Sequence, residues 1–414
     1  MIRLTGADLV LPDRVVGGGT LVVDGDRIVE ILAAGAGSSS HAIPPEGGSY
    51  TDLNLNVRDQ YIVPGFIDVH VHGVEGSDTL GGGNAIADIA GKLARYGVTA
   101  FCPTSIACDP TALREMLAGV RAARTVRAPG GARVLPAHLE SNFINPEYKG
   151  AQPATCLRTL RRTADGGRKA DEAARWSGAD ILDEIAAARP DVGIVTVAPE
   201  IDGVIDLIRD LVAHGHHVSL GHSGATYDEA MEGVRAGARQ ATHLFNRMTA
   251  VTHRAPGLAG AVLECDDVVA ELVCDGVHVH PAMMRVAIAA KRPERIMAIT
   301  DGTAGSGLPR GSRATLGGRR ISVGDAAYLE DGTIAGSTLT MDRAFAKLIS
   351  EVGLSLSDAA TVCSTTPARA LGLQGFGVLA PGAMADFVVL DRDLRVIQTW
   401  IAGTLAYEAT SKPV

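Results

Sequence analysis

The stretch Pro64-Gly65-Phe66-Ile67-Asp68-Val69-His70-Val71-His72-Gly73 decides how this chain is read. An apolar run from Tyr61 to Val69 ends in two histidines two positions apart, and a glycine then lets the chain turn. If the run is a strand, its period of two puts both imidazoles on one face at the C-terminal end. Two imidazoles on one face of a buried strand are the beginning of a metal site. A strand that simply ends in polar residues is the plain alternative, and the rest of the sequence decides between them.

Outward from that stretch the pattern alternates between apolar runs and amphipathic segments. Eight buried strands are expected: Tyr61–Val69, Val98–Pro103, Arg133–Leu139, Val192–Ala198, His217–Leu220, Gln240–Thr242, Val268–Val273 and Arg295–Ile299. Helical segments lie between them, including Ala85–Tyr96, Pro110–Arg124, Ile201–Ala213, Tyr227–Arg235 and Pro281–Ala290. Asp109-Pro110 is a helix start, a capping carboxylate followed by proline at the first helical position. Eight such alternations predict an α/β chain folded as a (β/α)8 TIM barrel. Ser141 to Ser177 interrupts the alternation as a long polar insertion carrying Arg161, Arg162, Arg168 and Lys169, read as a solvated charged face. After the eighth strand a hairpin is expected over Arg319–Val323 and Ala327–Ile334, then helices at Met341–Val352, Ser357–Ser364 and Pro367–Leu371.

Both ends of the chain read differently. Thr20–Val23 and Arg27–Ile31 flank Asp24-Gly25-Asp26, a hairpin signal. Gly35 to Gly48 is rich in Gly, Ser and Pro and reads as a mobile loop. Strands return at Asp386–Leu390, Arg395–Ile401 and Thr404–Tyr407. The expected organisation is a small β-sandwich domain from both termini (1–60 and 373–414) with the barrel over 61–372.

Composition bounds the function. With 414 residues, 46% of them hydrophobic, the chain is long enough for one large barrel and an accessory unit. A net charge of −9 argues against a nucleic-acid partner. Six scattered cysteines form no Cys-x-x-Cys pair, which argues against a zinc ribbon or disulfide scaffold and fits a reducing, cytoplasmic location. No apolar window approaches the length of a membrane span.

The polar residues at the expected strand ends carry the chemistry. They are His70 and His72 on the first strand, Glu140 of His138-Leu139-Glu140 on the third, and His222 and His243 after the fifth and sixth. Asp301 follows the eighth. A barrel places chemistry at the C-terminal ends of its strands, so these four histidines and two carboxylates converge on one mouth. Imidazoles and carboxylates suit zinc, iron or another first-row divalent metal. Such a cation lowers the pKa of its water and polarises a carbonyl. A nearby carboxylate can take a proton from that water and deliver it to a leaving amine, which is amide hydrolysis. No dinucleotide-binding glycine loop and no serine nucleophile elbow competes with this reading.

These residues resemble the amidohydrolase superfamily and, within it, the N-acetylglucosamine-6-phosphate deacetylases. The matching stretches are Pro64–Gly73, His138-Leu139-Glu140, Gly221-His222-Ser223, Thr242-His243-Leu244-Phe245-Asn246, Pro256-Gly257-Leu258-Ala259-Gly260, Cys274-Asp275-Gly276-Val277-His278-Val279-His280, Thr300-Asp301 and Ala335-Gly336-Ser337. The resemblance implies that Glu140, His222 and His243 hold the main metal and that His70 and His72 match members with a second, so one or two ions per chain. It implies Asp301 as acid/base and metal contact, and Asn246, Arg254 and His278 as substrate contacts. His253 and Arg254 would reach the substrate phosphate across a homodimer interface.

Five positions depart from the family pattern. Glu140-Ser141-Asn142 stands for Glu-Gly-Pro, and Gln152 for a histidine that helps polarise the scissile carbonyl. Arg247 stands for alanine, and Gly302 for alanine. Gln152 can donate a hydrogen bond but cannot carry charge. Arg247 can add a phosphate contact or fill sugar space. The expected activity is hydrolysis of the N-acetyl amide of an amino-sugar phosphate. The alternatives are deacylation of a different N-acyl amine or cyclic amide, through an altered Ser141–Gln152 loop, and a non-enzymatic binding barrel.

Overall fold

The computed structural model describes residues 1–34, 53–160 and 175–410. The Gly35–Gly48 loop and the cations Arg161, Arg162, Arg168 and Lys169 lie outside the described residues.

Parallel strands at Phe66–Val71, Val98–Ser105, Ala137–Glu140, Val192–Val197, His217–Leu220, Gln240–Ala241, Val269–Val273 and Ile296–Ile299 pair in that order. The last returns to the first through a Val71–Gly302 bridge and the Asp301 N–H donating to His70 O at 2.9 Å. The Asp68 carboxylate reinforces that seam, accepting from Thr300 Oγ1 at 2.6 Å. This is the TIM barrel expected from the alternation. Its core holds Phe66, Phe101, Phe143 and Phe345, all fully buried. No helix among the described residues is long and apolar enough to cross a membrane.

The apolar run Tyr61–Val69, read as one strand, is two strands in two sheets. Tyr61–Pro64 pairs with Phe387–Leu390 of the terminal sheet, and Phe66–Val71 begins the barrel. Gly65 is the break. A Cβ there would stand 2.3 Å from the Thr99 side chain, while its N–H donates to Asp386 O at 3.0 Å. Proline before it has no N–H to extend the barrel ladder. The third expected strand is likewise cut at Leu135-Pro136 into Arg133–Val134 and Ala137–Glu140.

An eight-stranded sheet gathers both ends of the chain. Thr404–Glu408, Val396–Ile401, Phe387–Leu390, Tyr61–Pro64, Ile2–Val10, Val15–Asp24 and Arg27–Leu32 run side by side, and Leu53–Asn56 joins Ile2–Val10. Its apolar face buries Leu4, Leu9, Leu21, Ile28 and Phe387, the last stacked on Trp400 at 5.6 Å. The hairpin beyond the eighth barrel strand is three-stranded, Arg313–Leu316, Arg319–Val323 and Ala327–Tyr328.

The helices form largely where the sequence places them. Asp109 caps Pro110–Thr125 by accepting from the N–H groups of Thr111 and Ala112 at 2.9 and 3.0 Å. Of the insertion read as a solvated polar face, only Ser141 to Leu160 and Arg175 to Ser177 are described, and the first of these parts is partly buried. From Ser141 to Leu160 the chain tucks Phe143, Ile144, Leu157 and the Arg158 side chain inward, with the Arg158 guanidinium 3.5 Å over the Trp176 ring. Short apolar residues interleaved with polar ones escape a periodicity test, because the segment is irregular and buries through turns.

Candidate active site

The mouth of the barrel is a cavity of about 410 Å3. His72, Glu140, His222, His243 and Asp301 line it, and His70 sits directly beneath. Each leaves its strand at the C-terminal end, so six side chains from five strands meet at one point. Three of them take the left-handed backbone region: His222 at φ 47°, His243 at 32° and Asp301 at 47°. L-residues rarely adopt this region, and such strain collects where geometry serves a ligand.

Hydrogen bonds behind the rings fix which nitrogen faces the cavity. His70 Nδ1 is 2.9 Å from Glu271 Oε2, His72 Nδ1 3.2 Å from Thr104 O, and His222 Nδ1 2.8 Å from Tyr148 O. A carbonyl oxygen only accepts, so Nδ1 carries the proton on His72 and His222, and the neutral ring presents a bare Nε2. These Nε2 atoms crowd the carboxylates. His222 and His243 stand 2.7 and 2.9 Å from Glu140 Oε1 and 3.0 Å from each other. His72 lies 3.5 Å from Glu140 Oε2 and 3.3 Å from Asp301 Oδ1.

Lone pairs facing carboxylate oxygens at these distances repel unless positive charge lies among them. The electrostatics agree. Burial disfavours a second proton on His243, yet its hydrogen bond and attraction to Glu140 push it up to about 9. Burial likewise opposes the charge of Asp301, but when His72 is protonated at both nitrogens its Nε2–H donates to Oδ1 and holds the carboxyl below the usual range. His70, screened from solvent, is pushed down by burial to about 3 and stays neutral. Within this cluster, Glu140, His222 and His243 form one set of donors within 4.8 Å, and His70, His72 and Glu140 a second. The donor set fits a first-row divalent cation.

Around this centre the structure sorts the remaining expected residues. Gln152, Asn246, Arg247 and His278 line the cavity. His278 Nδ1 is held at 2.6 Å by Asp275 Oδ2. His253 and Arg254 are exposed and do not line it. Ser141 and Asn142 turn away from it. Ser141 Oγ donates to Thr196 O, and Asn142 Nδ2 donates to Cys108 O and Cys156 O, each at 2.7 Å. Glu271 was not singled out in the sequence. It lies on an interior strand in an apolar context, and the only sequence signal is a carboxylate amid Val269–Val273. Burial pushes Glu271 up to about 7 and Asp68 up to about 7. Tyr148 and Glu147 also line the cavity and had no sequence signal.

Residues 61–406 match the sequence profile of the Amidohydrolase family. The chain is 35% identical to the N-acetylgalactosamine-6-phosphate deacetylase of Escherichia coli O157:H7 over 358 residues, 86% of this chain and 90% of that one. It is 37% identical to the N-acetylglucosamine-6-phosphate deacetylase of Homo sapiens over 373 residues, 86% of each. Among solved structures, the N-acetylglucosamine-6-phosphate deacetylase of Thermotoga maritima superposes with a TM-score of 0.81 at 30% identity, covering 98% of this chain and all of the other. A variant of the Mycobacterium smegmatis N-acetyl-D-glucosamine-6-phosphate deacetylase, solved with N-acetyl-D-glucosamine-6-phosphate, gives 0.81 at 31%, covering 98% and 99%.

Proposed function

Because this chain belongs to the amidohydrolase family, we propose that it hydrolyses the N-acetyl amide of an amino-sugar phosphate, N-acetylglucosamine-6-phosphate, to the free amine and acetate. The observation that carries this reading is the convergence of His70, His72, Glu140, His222, His243 and Asp301 on one cavity. It is joined by 32–37% identity to deacetylases of acetylated amino-sugar phosphates over most of the chain.

Glu140, His222 and His243 are the residues that would hold a divalent cation, zinc or iron, with His70 and His72 beside them for a second. When bound, the cation supplies Lewis acidity and acidifies water. The chain's own residues do the rest. Asp301, held ionised, accepts a proton at Oδ1 and returns it to the departing amine nitrogen. Asn246 and His278 contact the sugar, and Arg247 attracts the phosphate. His253 and Arg254, exposed and away from their own cavity, suit a homodimer in which they complete the partner's phosphate site.

The inward hydrogen bonds of Ser141 and Asn142 support the sugar-phosphate reading over a different acyl amine, since these departures do not face the cavity. The test is acetate release from N-acetylglucosamine-6-phosphate against the unphosphorylated sugar and a panel of N-acyl amines. Asp301→Asn should lose about 10^2-fold or more in kcat with metal retained. Equal rates with and without phosphate, or full activity in Asp301→Asn, sink the reading.

A further inference from the structure

The carboxylate of Glu140 has a partner on its outer side. Gln152 is almost fully buried, and its side-chain amide is bonded at both ends. Its Oε1 accepts from the Ala107 N–H at 2.7 Å, and its Nε2 donates to Glu140 Oε2. The orientation of this amide follows from its neighbours. Ala107 N–H can only donate and an ionised Glu140 can only accept, so the reversed amide would lose both bonds. The Gln152 backbone is tied as well, its N–H donating to Lys149 O at 2.9 Å.

We propose that Gln152 is a positioning residue for Glu140. It braces Oε2 so that Oε1 faces His222 and His243, and it is not the carbonyl-polarising contact that a histidine would make there. The opposite oxygen of the same carboxylate lies 2.7 and 2.9 Å from the two imidazoles, so a rotation of the carboxylate would move that oxygen off both. Outer partners of this kind set ligand orientation, and their loss typically weakens metal binding by about 10–100-fold. A neutral amide suits the task, because it donates at any pH without adding charge to the cluster.

The inference rests on the reading of Glu140, His222 and His243 as metal ligands, and it is independent of the substrate. The experiment is cobalt(II) titration of chelator-stripped protein, followed by calorimetry and by the visible absorption of the bound ion. Gln152→Met keeps the volume and removes both bonds, and Gln152→Ala removes the side chain. Circular dichroism reports that each variant is folded. We expect cobalt affinity to fall about 10–100-fold in both variants, with a changed visible band. Affinity within twofold of the parent and an unchanged band, with only KM for substrate raised, would overturn the proposal and make Gln152 a substrate contact. Failure of the deacetylation assay alone leaves the cobalt result standing, and so separates the two readings.

Discussion

Glu271 Oε2 stands 2.9 Å from His70 Nδ1, both side chains fully buried at the floor of the barrel mouth. The same oxygen accepts from the His243 N–H at 3.2 Å. One carboxylate, supplied by a strand that offers no cavity-lining residue of its own, therefore aims two of the histidines.

Glu271→Ala removes the acceptor and leaves the His70 Nδ1–H buried without a partner. A loss of about 1–3 kcal/mol in stability is expected, read as a lower denaturant midpoint. Cobalt or zinc affinity should fall about 10–100-fold. Glu271→Gln keeps an oxygen acceptor and should recover most of the stability. Unchanged stability in Glu271→Ala would show that His70 is oriented by packing alone.

Arg247 lies on the cavity rim at φ 52° and makes no ion pair among the described residues. Its stem crosses Gly150, where a Cβ would fall 2.6 Å from Arg247 Nε, and Gly150 itself has φ 56°. Arg247→Ala is expected to raise KM for the phosphorylated substrate roughly tenfold, with little change in kcat or for the unphosphorylated sugar. Gly150→Ala should act in the same direction by displacing the guanidinium, with about 1 kcal/mol of backbone cost. Steady-state kinetics on the substrate pair decides it.

Removal of divalent metal should abolish turnover and lower the melting temperature. Nε2 lone pairs and carboxylates gathered within 4.8 Å repel one another without positive charge. A cation that binds only the folded state at 100 times its Kd adds about 2.7 kcal/mol. Differential scanning calorimetry of stripped protein with and without zinc or cobalt measures this. Melting temperatures that coincide would place the metal elsewhere.

His216 and His217, at the opposite end of the barrel, are both pushed down by burial. His216 Nδ1 donates to Val192 O at 2.9 Å, and its Nε2 is buried without a partner. The unfolded chain takes up protons near pH 6.5, whereas the folded chain resists until lower pH. Stability from these groups is therefore full above about pH 6.5 and lost as pH falls below it. Urea midpoints from pH 8 to pH 5 should decline, and His216→Asn with His217→Asn should flatten the decline.

The eight-strand alternation was legible because buried parallel strands are short apolar runs bounded by turns, and the helices between them are amphipathic. His70, His72, Glu140, His222, His243 and Asp301 were legible because each interrupts such a run where a barrel presents chemistry. The split at Gly65 was not, since Tyr61–Pro64 and Phe66–Val71 are equally apolar and only their partners differ.

The sequence by itself determined the barrel, the gathering of terminal strands and the six side chains at the mouth. These follow from local periodicity and from residue types at strand ends. The tertiary structure alone decided which atoms face which. It put Glu271 behind His70, turned Ser141 and Asn142 away from the cavity and braced Glu140 with Gln152. Hydrogen bonds between residues far apart in the chain leave no periodic trace, because they depend on side-chain direction after the barrel has closed. Val69-His70-Val71-His72 marks where two imidazoles able to hold a metal enter the barrel mouth, and the contacts around them decide how those rings are held.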